Sequence, residues 1–265
     1  MYLLERAFEK IGVRVKFDQL RPSPSSPRAE TLGDFALDVR RDARGEYFLV
    51  SRASGSTTEF VVLDVQPRDR HLLLLSRKGA EKHRFLLGHD ERHWFVAGIP
   101  EATPVSRVSD AKQALKPELV LKNESGMHPK FLHRRANRAR IRQGEWFFVP
   151  APEIAVPEFL ILHDEPLRRS GGKAHMCEQL YRLGGETVYV GWGHQDGITE
   201  EEFRNLGERE RKNQNWRVMR RNPTVYVRGR VRHRDHKTVD LHGWHRVLSN
   251  TENLSYAMKN IVFLD

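Results

Sequence analysis

Thirteen histidines stand in this 265-residue chain, and several are spaced for metal or proton chemistry. His89, Glu91 and His93 fall in the run HDERH. In an extended chain all three share one face, and in a helix His89 and His93 do, so either geometry gathers ligands for a divalent metal. The order is not that of the HExxH zincin motif, because the glutamate sits third instead of second. With HRFLLG before it and HWFVAGI after it, the run also reads as the tip of a β-hairpin whose histidines are structural. A second group comprises His233, Asp235 and His236 with His242 and His245, two H-x-x-H pairs on what reads as another hairpin. Two such pairs can converge on zinc, or one histidine can act as a general base oriented by Asp235. They can equally contact phosphates or lie at a turn.

The candidate catalytic set is therefore His89, Glu91, His93, His233, Asp235, His236 and His245, with a divalent metal as the one cofactor this chemistry suggests. Metal-dependent phosphoester hydrolysis normally brings two or three carboxylates to a histidine or lysine near the ion. Asp90, Glu91 and Asp235 supply them only if the two histidine-rich hairpins are neighbours. Paired histidines acting as acid and base without metal are the alternative. Cys177 is the only cysteine, which excludes an intrachain disulfide and a multi-cysteine zinc site and fits a reducing, cytoplasmic compartment. Ser170-Gly171-Gly172-Lys173 lacks the spacing of a P-loop, so it reads as at most a phosphate-contacting loop.

Charge points to a partner. Residues 130–142 hold six Lys/Arg and no acid, and residues 204–237 hold twelve against Glu208, Glu210 and Asp235. The two stretches carry more than the whole net charge of +10. Arginine supplies 33 of the 45 basic residues, and its planar fork matches phosphate oxygens and base edges better than an ammonium does. Three segments are candidates for nucleic-acid contact. In VYVRGRVRHR, a strand would turn Val225, Val227, Gly229 and Val231 one way and Tyr226, Arg228, Arg230 and Arg232 the other, giving a basic ribbon with an aromatic at its end. In KFLHRRANRARIRQG, a helix would align Arg134, Arg138 and Arg142, with Arg135 beside them. In RKNQNWRVMRRNP, Trp216 stands among Arg220 and Arg221 and can stack on a base or anchor a core. The expectation is a nucleic-acid-binding protein, RNA or single-stranded DNA favoured, in a ribonucleoprotein or mobile-element system. A nuclease or related phosphoesterase is one alternative, and a subunit docking an acidic protein is another. A passive basic surface, with edge arginines that deter aggregation, explains the same charges.

The elements that must position these residues are mostly strands. The spacing of Leu3, Leu4, Ala7, Phe8 and Ile11 predicts an amphipathic helix over 2–11, stopped by Gly12. A Pro/Ser-rich connector spans 20–32. Short apolar runs then predict a meander from residue 33 to about 100, and Asp110 is placed to cap a helix AKQALK that Pro117 ends. Thr199 and Glu202 have the spacing of a capping box for a helix over about 200–213, and a last helix is expected near 252–260. The division expected is 1–19, 20–32, 33–117, an arginine-rich segment 118–150, and a C-terminal domain 151–265. Many strands and few helices predict an α+β fold with mainly antiparallel β-sheets. No run approaches the roughly 18 apolar residues of a membrane helix, so no membrane partner is expected.

Overall fold

The computed structural model describes residues 2–19, 35–168 and 173–254, so the connector 20–32, Ser170–Gly172 and the residues after Leu254 lie outside the described residues. The fold is α+β and mainly antiparallel, in two compact units. The first runs to Arg134 and takes in a return segment from Ser249; the second spans Arg135–Leu248, so the chain divides inside the arginine-rich segment.

The first unit opens with helix α1 (Tyr2–Lys10), which buries Leu4, Ala7 and Phe8 of the expected apolar face and leaves Leu3 exposed. Strands β1 (Arg14–Gln19), β2 (Phe35–Asp42) and β3 (Gly45–Arg52) form a sheet in the order β1-β3-β2, in which β1 and β3 are the one parallel pair among the strand pairs described. Strands β4 (Glu59–Gln66), β5 (His71–Lys78), β6 (Glu81–Asp90) and β7 (His93–Ile99) make the expected meander. The leucine run of β5 has a physical cause: Leu72 and Leu74 enter a core with Phe8, Phe48, Phe85 and Trp94, while Leu73 enters a second core with Leu86, Ile99, Val108 and Ala111. A strand covered on both faces needs no polar alternation.

Helices α2 (Val108–Ala114), α3 (Glu118–Asn123) and α4 (Pro129–Leu132) follow. The expected cap at Asp110 is corrected. Helix α2 starts three residues earlier, at Val108, Asp110 lies in its first turn, and the Val108 amide donates instead to Asp64 Oδ2 of β4 at 2.8 Å. Pro117 precedes α3 as its N-cap residue. The return segment closes on α2, where Thr251 donates through its amide to Leu115 and through its hydroxyl to Ala114. Of the last helix expected near 252–260, the described part is a 3-10 turn over Thr251–Leu254.

The second unit contains β8 (Ala136–Asn137), β9 (Arg140–Gln143), β10 (Trp146–Pro150), β11 (Leu162–Leu167), β12 (His175–Leu183), β13 (Glu186–Gly191), β14 (His194–Thr199), α5 (Glu200–Asn205), α6 (Glu208–Lys212), β15 (Arg217–Arg221), β16 (Thr224–Arg232) and β17 (Val239–Ser249). Seven strands form one sheet in the order β11-β12-β16-β17-β10-β9-β8, and β14-β13-β15 form a smaller one. Trp146 and Phe148 of β10 share a core with Leu167 of β11, Cys177 and Leu180 of β12, and Val227 and Val231 of β16. Strands so far apart in the order meet only because the sheet coils around that core. The capping box of Thr199 and Glu202 is formed, but Leu206 and Gly207 break the expected helix into α5 and α6.

The arginine run is not a helix, which corrects the expected stripe of Arg134, Arg138 and Arg142. Arg134 ends the turn after α4, Arg138 is at the exposed tip of the β8–β9 hairpin, and Arg142 lies on β9. Asn137 explains the choice: its Oδ1 accepts the amides of Ala139 at 2.9 Å and Arg140 at 3.2 Å, stabilising a turn in place of helical bonds.

Candidate histidine centre and arginine face

The HDERH run is a hairpin tip. His89 opposes Trp94 and Asp90 opposes His93, leaving Glu91 and Arg92 as the turn, with Glu91 at φ +52°. The His89 ring meets the Trp94 ring edge-on at 5.0 Å, and His93 Nδ1 donates to Glu46 Oε1 at 2.5 Å while Glu46 Oε2 accepts the Trp94 amide. Glu46 thus pins the start of β7 to β3. His89, Glu91 and His93 do not form a converging group of potential ligands among the described residues.

Among the described residues one trio of potential metal ligands does converge: His175, His233 and His236, whose ligand atoms lie within 4.8 Å of one another. His175 begins β12, and the other two sit on the loop from β16 to β17. Their ring centroids are 4.1 Å (His175–His233), 4.7 Å (His233–His236) and 5.6 Å (His175–His236) apart. His175 is buried and the other two are half-buried.

The centre is supported from β9 and its turn. Gln143, fully buried, donates through Nε2 to the carbonyls of Val231 at 3.1 Å and Lys237 at 2.8 Å. Its oxygen therefore faces His175 Nδ1, 2.9 Å away, and can only accept. This fixes the Nδ1 proton and leaves Nε2 as the second ring nitrogen facing the centre. Glu145 Oε2 stands 3.7 Å from that Nε2. Burial acts to raise the Glu145 carboxyl, but the neighbouring His175 and His236 outweigh it and hold it below the ordinary range. Burial, followed by the positive fields of His175 and His236, pushes His233 down to about 4. Gly144, at φ +58°, turns β9 into β10, and a Cβ there would lie 2.7 Å from His236 Nε2 and 3.4 Å from His175 Cε1. A side chain would invade the centre as well as strain the turn.

Of the expected second group, His233 and His236 belong to this centre. Asp235 Oδ2 accepts from Lys173 Nζ at 2.5 Å, and the Asp235 amide donates to His233 Nδ1 at 3.1 Å. His245 is buried on β17 and donates through Nδ1 to Gly243 O at 3.0 Å, and it is not one of the trio. Cys177 is buried in the core, which raises its thiol to about 12 and disfavours the thiolate.

The ribbon on β16 faces as its alternation predicts. Val225, Val227 and Val231 enter the core, and Tyr226, Arg228, Arg230 and Arg232 line the other side. The phase survives a bulge against β12 between Arg228 and Val231, where Gly229 takes φ +83°. Arg228 donates to Gln179 Oε1 at 2.5 Å and lies over the Trp244 ring at 4.8 Å. Arg230 pairs with Glu178 at 3.1 Å and Arg232 with Asp164 at 2.6 Å, both pairs largely exposed. Tyr226 stands beside Tyr181, and exposed Arg246 opposes it on β17.

Other expected contacts are built into the framework. Arg135 bonds the carbonyls of Arg142 and Lys237, and Arg140 is buried against the Phe147 ring while donating to Arg135 O at 2.9 Å. Trp216 packs on Phe203 and His194; Arg220 reaches Gly185 O, and Arg221 pairs with Glu186. The exposed tryptophan is Trp192, between two glycines in the β13–β14 turn and 89% accessible. A Gly-Trp-Gly turn was a readable signal for it. His175, Gln143 and Glu145 had no comparable local signal.

No family model matches this chain, and no curated protein or solved structure matches it. No helix among the described residues is long and apolar enough to cross a membrane.

Proposed function

We propose that this protein binds nucleic acid, RNA or single-stranded DNA, on the open face of the seven-stranded sheet. One observation carries the reading: Tyr226, Arg228, Arg230 and Arg232 form a row on that face, with Trp244 and Arg246 alongside on the next strand. Guanidinium groups can take phosphates while aromatic rings take unstacked bases. The carboxylates of Glu178 and Asp164 hold Arg230 and Arg232 extended and are exchanged for phosphate oxygens on binding. An intracellular role in a ribonucleoprotein or mobile-element system fits this reading.

Fluorescence anisotropy with labelled single-stranded RNA and DNA over a salt series tests it. The affinity is expected to fall steeply with salt. Replacing Arg228, Arg230 and Arg232 together by Ala should weaken binding at least tenfold and flatten the salt slope by about 2, since each phosphate contact contributes about 0.7 on a single strand. Unchanged binding removes this face from the reading. Absence of nucleic acid after gentle purification, together with capture of an acidic protein, favours a protein-docking role.

A second reading, phosphoester hydrolysis, is favoured by the position of Glu145 beside His175, an acid–base group next to three clustered imidazoles. Labelled RNA and DNA incubated with and without divalent metal test it, and cleavage that survives His175→Ala assigns it to a contaminant.

A further inference from the structure

We propose that His175, His233 and His236 form a binding site for one divalent first-row transition ion of the zinc class. The inference rests on the donor set and its support; it does not depend on the nucleic-acid reading, and it uses the same residues as the hydrolytic one.

The donors come from elements that meet only in the folded unit, and their ligand atoms lie within 4.8 Å of one another. Three nitrogens bound tetrahedrally at 2.0–2.1 Å are about 3.4 Å apart. The half-buried His233 and His236, on a loop, supply the small contraction needed. Gln143 does for His175 what outer-shell groups do in metal sites: it fixes the Nδ1 proton and aims Nε2 inward. Glu145 then presents an oxygen 3.7 Å from Nε2, the nitrogen that bears the lone pair when the ring is neutral. Two acceptors facing each other repel unless a cation lies between them, and a metal ion satisfies both. Imidazole donors select zinc, copper, nickel or iron over magnesium and calcium. Glycine at 144 keeps the space clear, since a Cβ there would abut His236 and His175.

One rearrangement follows. His233 Nδ1 accepts the Asp235 amide, which leaves the neutral ring's proton on Nε2. Ligation through Nε2 moves that proton to Nδ1 and opens the Asp235 contact, so metal binding reorganises the 233–236 loop.

The competing occupant is a proton on His175 Nε2. Chelator-treated full-length protein titrated with Zn2+, and with Co2+ as a spectroscopic probe, separates the two. One equivalent of Zn2+ should bind, raise the melting temperature and displace Co2+ that shows intense visible bands of tetrahedral coordination. His233→Ala and His236→Ala, both in the loop, should each lose at least 100-fold in Zn2+ affinity while keeping the wild-type circular dichroism. Gln143→Leu should lose 10- to 100-fold. The proposal is overturned if the wild type binds less than one equivalent, if the two loop variants bind as it does, or if Mg2+ competes equally. It is also overturned if nitrogen NMR finds His175 doubly protonated at neutral pH with excess Zn2+ present.

Discussion

Gln143 accepts the Nδ1 proton of His175 across 32 residues of sequence, joining strands four places apart in the same sheet. The amide is fully committed, because its two hydrogens go to Val231 O and Lys237 O. Replacing Gln143 by Leu strands buried polar groups, each costing about 1–3 kcal/mol. Denaturant unfolding should show at least one such loss. A stability equal to wild type would mean that water replaces the amide without penalty.

The ion pairs on the open face compete with any phosphate. Glu178→Ala releases Arg230, and Asp164→Asn weakens the hold on Arg232. Exposed pairs of this kind contribute little because solvent screens them, so each change should tighten nucleic-acid binding by no more than about fivefold. Weaker binding would show that the carboxylates orient the arginines for contact.

Cys177 should be inert in the folded protein. Burial raises its thiol to about 12, leaving almost no thiolate at pH 8. Alkylation by iodoacetamide should proceed only as fast as the second unit opens and become rapid in denaturant. Fast labelling under native conditions would contradict the burial.

Acid should weaken the first unit through Asp42. Hydrogen bonds from Arg14 and then Lys16 hold its carboxyl well below the ordinary value of 3.8. The unfolded chain takes up the proton first as pH falls, so this contribution is present above about pH 4 and is lost below it. Asp42→Asn should lower stability at pH 7 and reduce the change in stability between pH 5 and pH 3. Parallel curves for variant and wild type would place the acid sensitivity elsewhere.

The β-rich class, the meander, the hairpin at HDERH and the two faces of the β16 ribbon were legible because each is a short-range pattern. Alternation with a period of two, a turn residue, or a Thr-x-x-Glu box acts within a few residues and leaves its mark in order. The arginine run misled for the same reason. Helical spacing is local too, but so is the Asn137 side chain, which captures two amides and makes a hairpin. Charge also hides burial, since nothing in the letters separates Arg140, almost wholly enclosed, from exposed Arg138.

By itself the sequence determined the kinds of strand this chain forms and which side chains each strand turns outward, because those follow from steric alternation along one segment. Only the tertiary structure decided which histidines meet. His175 lies 58 residues before His233 in order, and His245, nearer in sequence, is left out. The difference is the coiling of the seven-stranded sheet, which carries the β9 turn over the start of β12. Trp146, Phe148, Cys177 and Val231 share the core inside that coil, a set of long-range contacts that no single segment encodes.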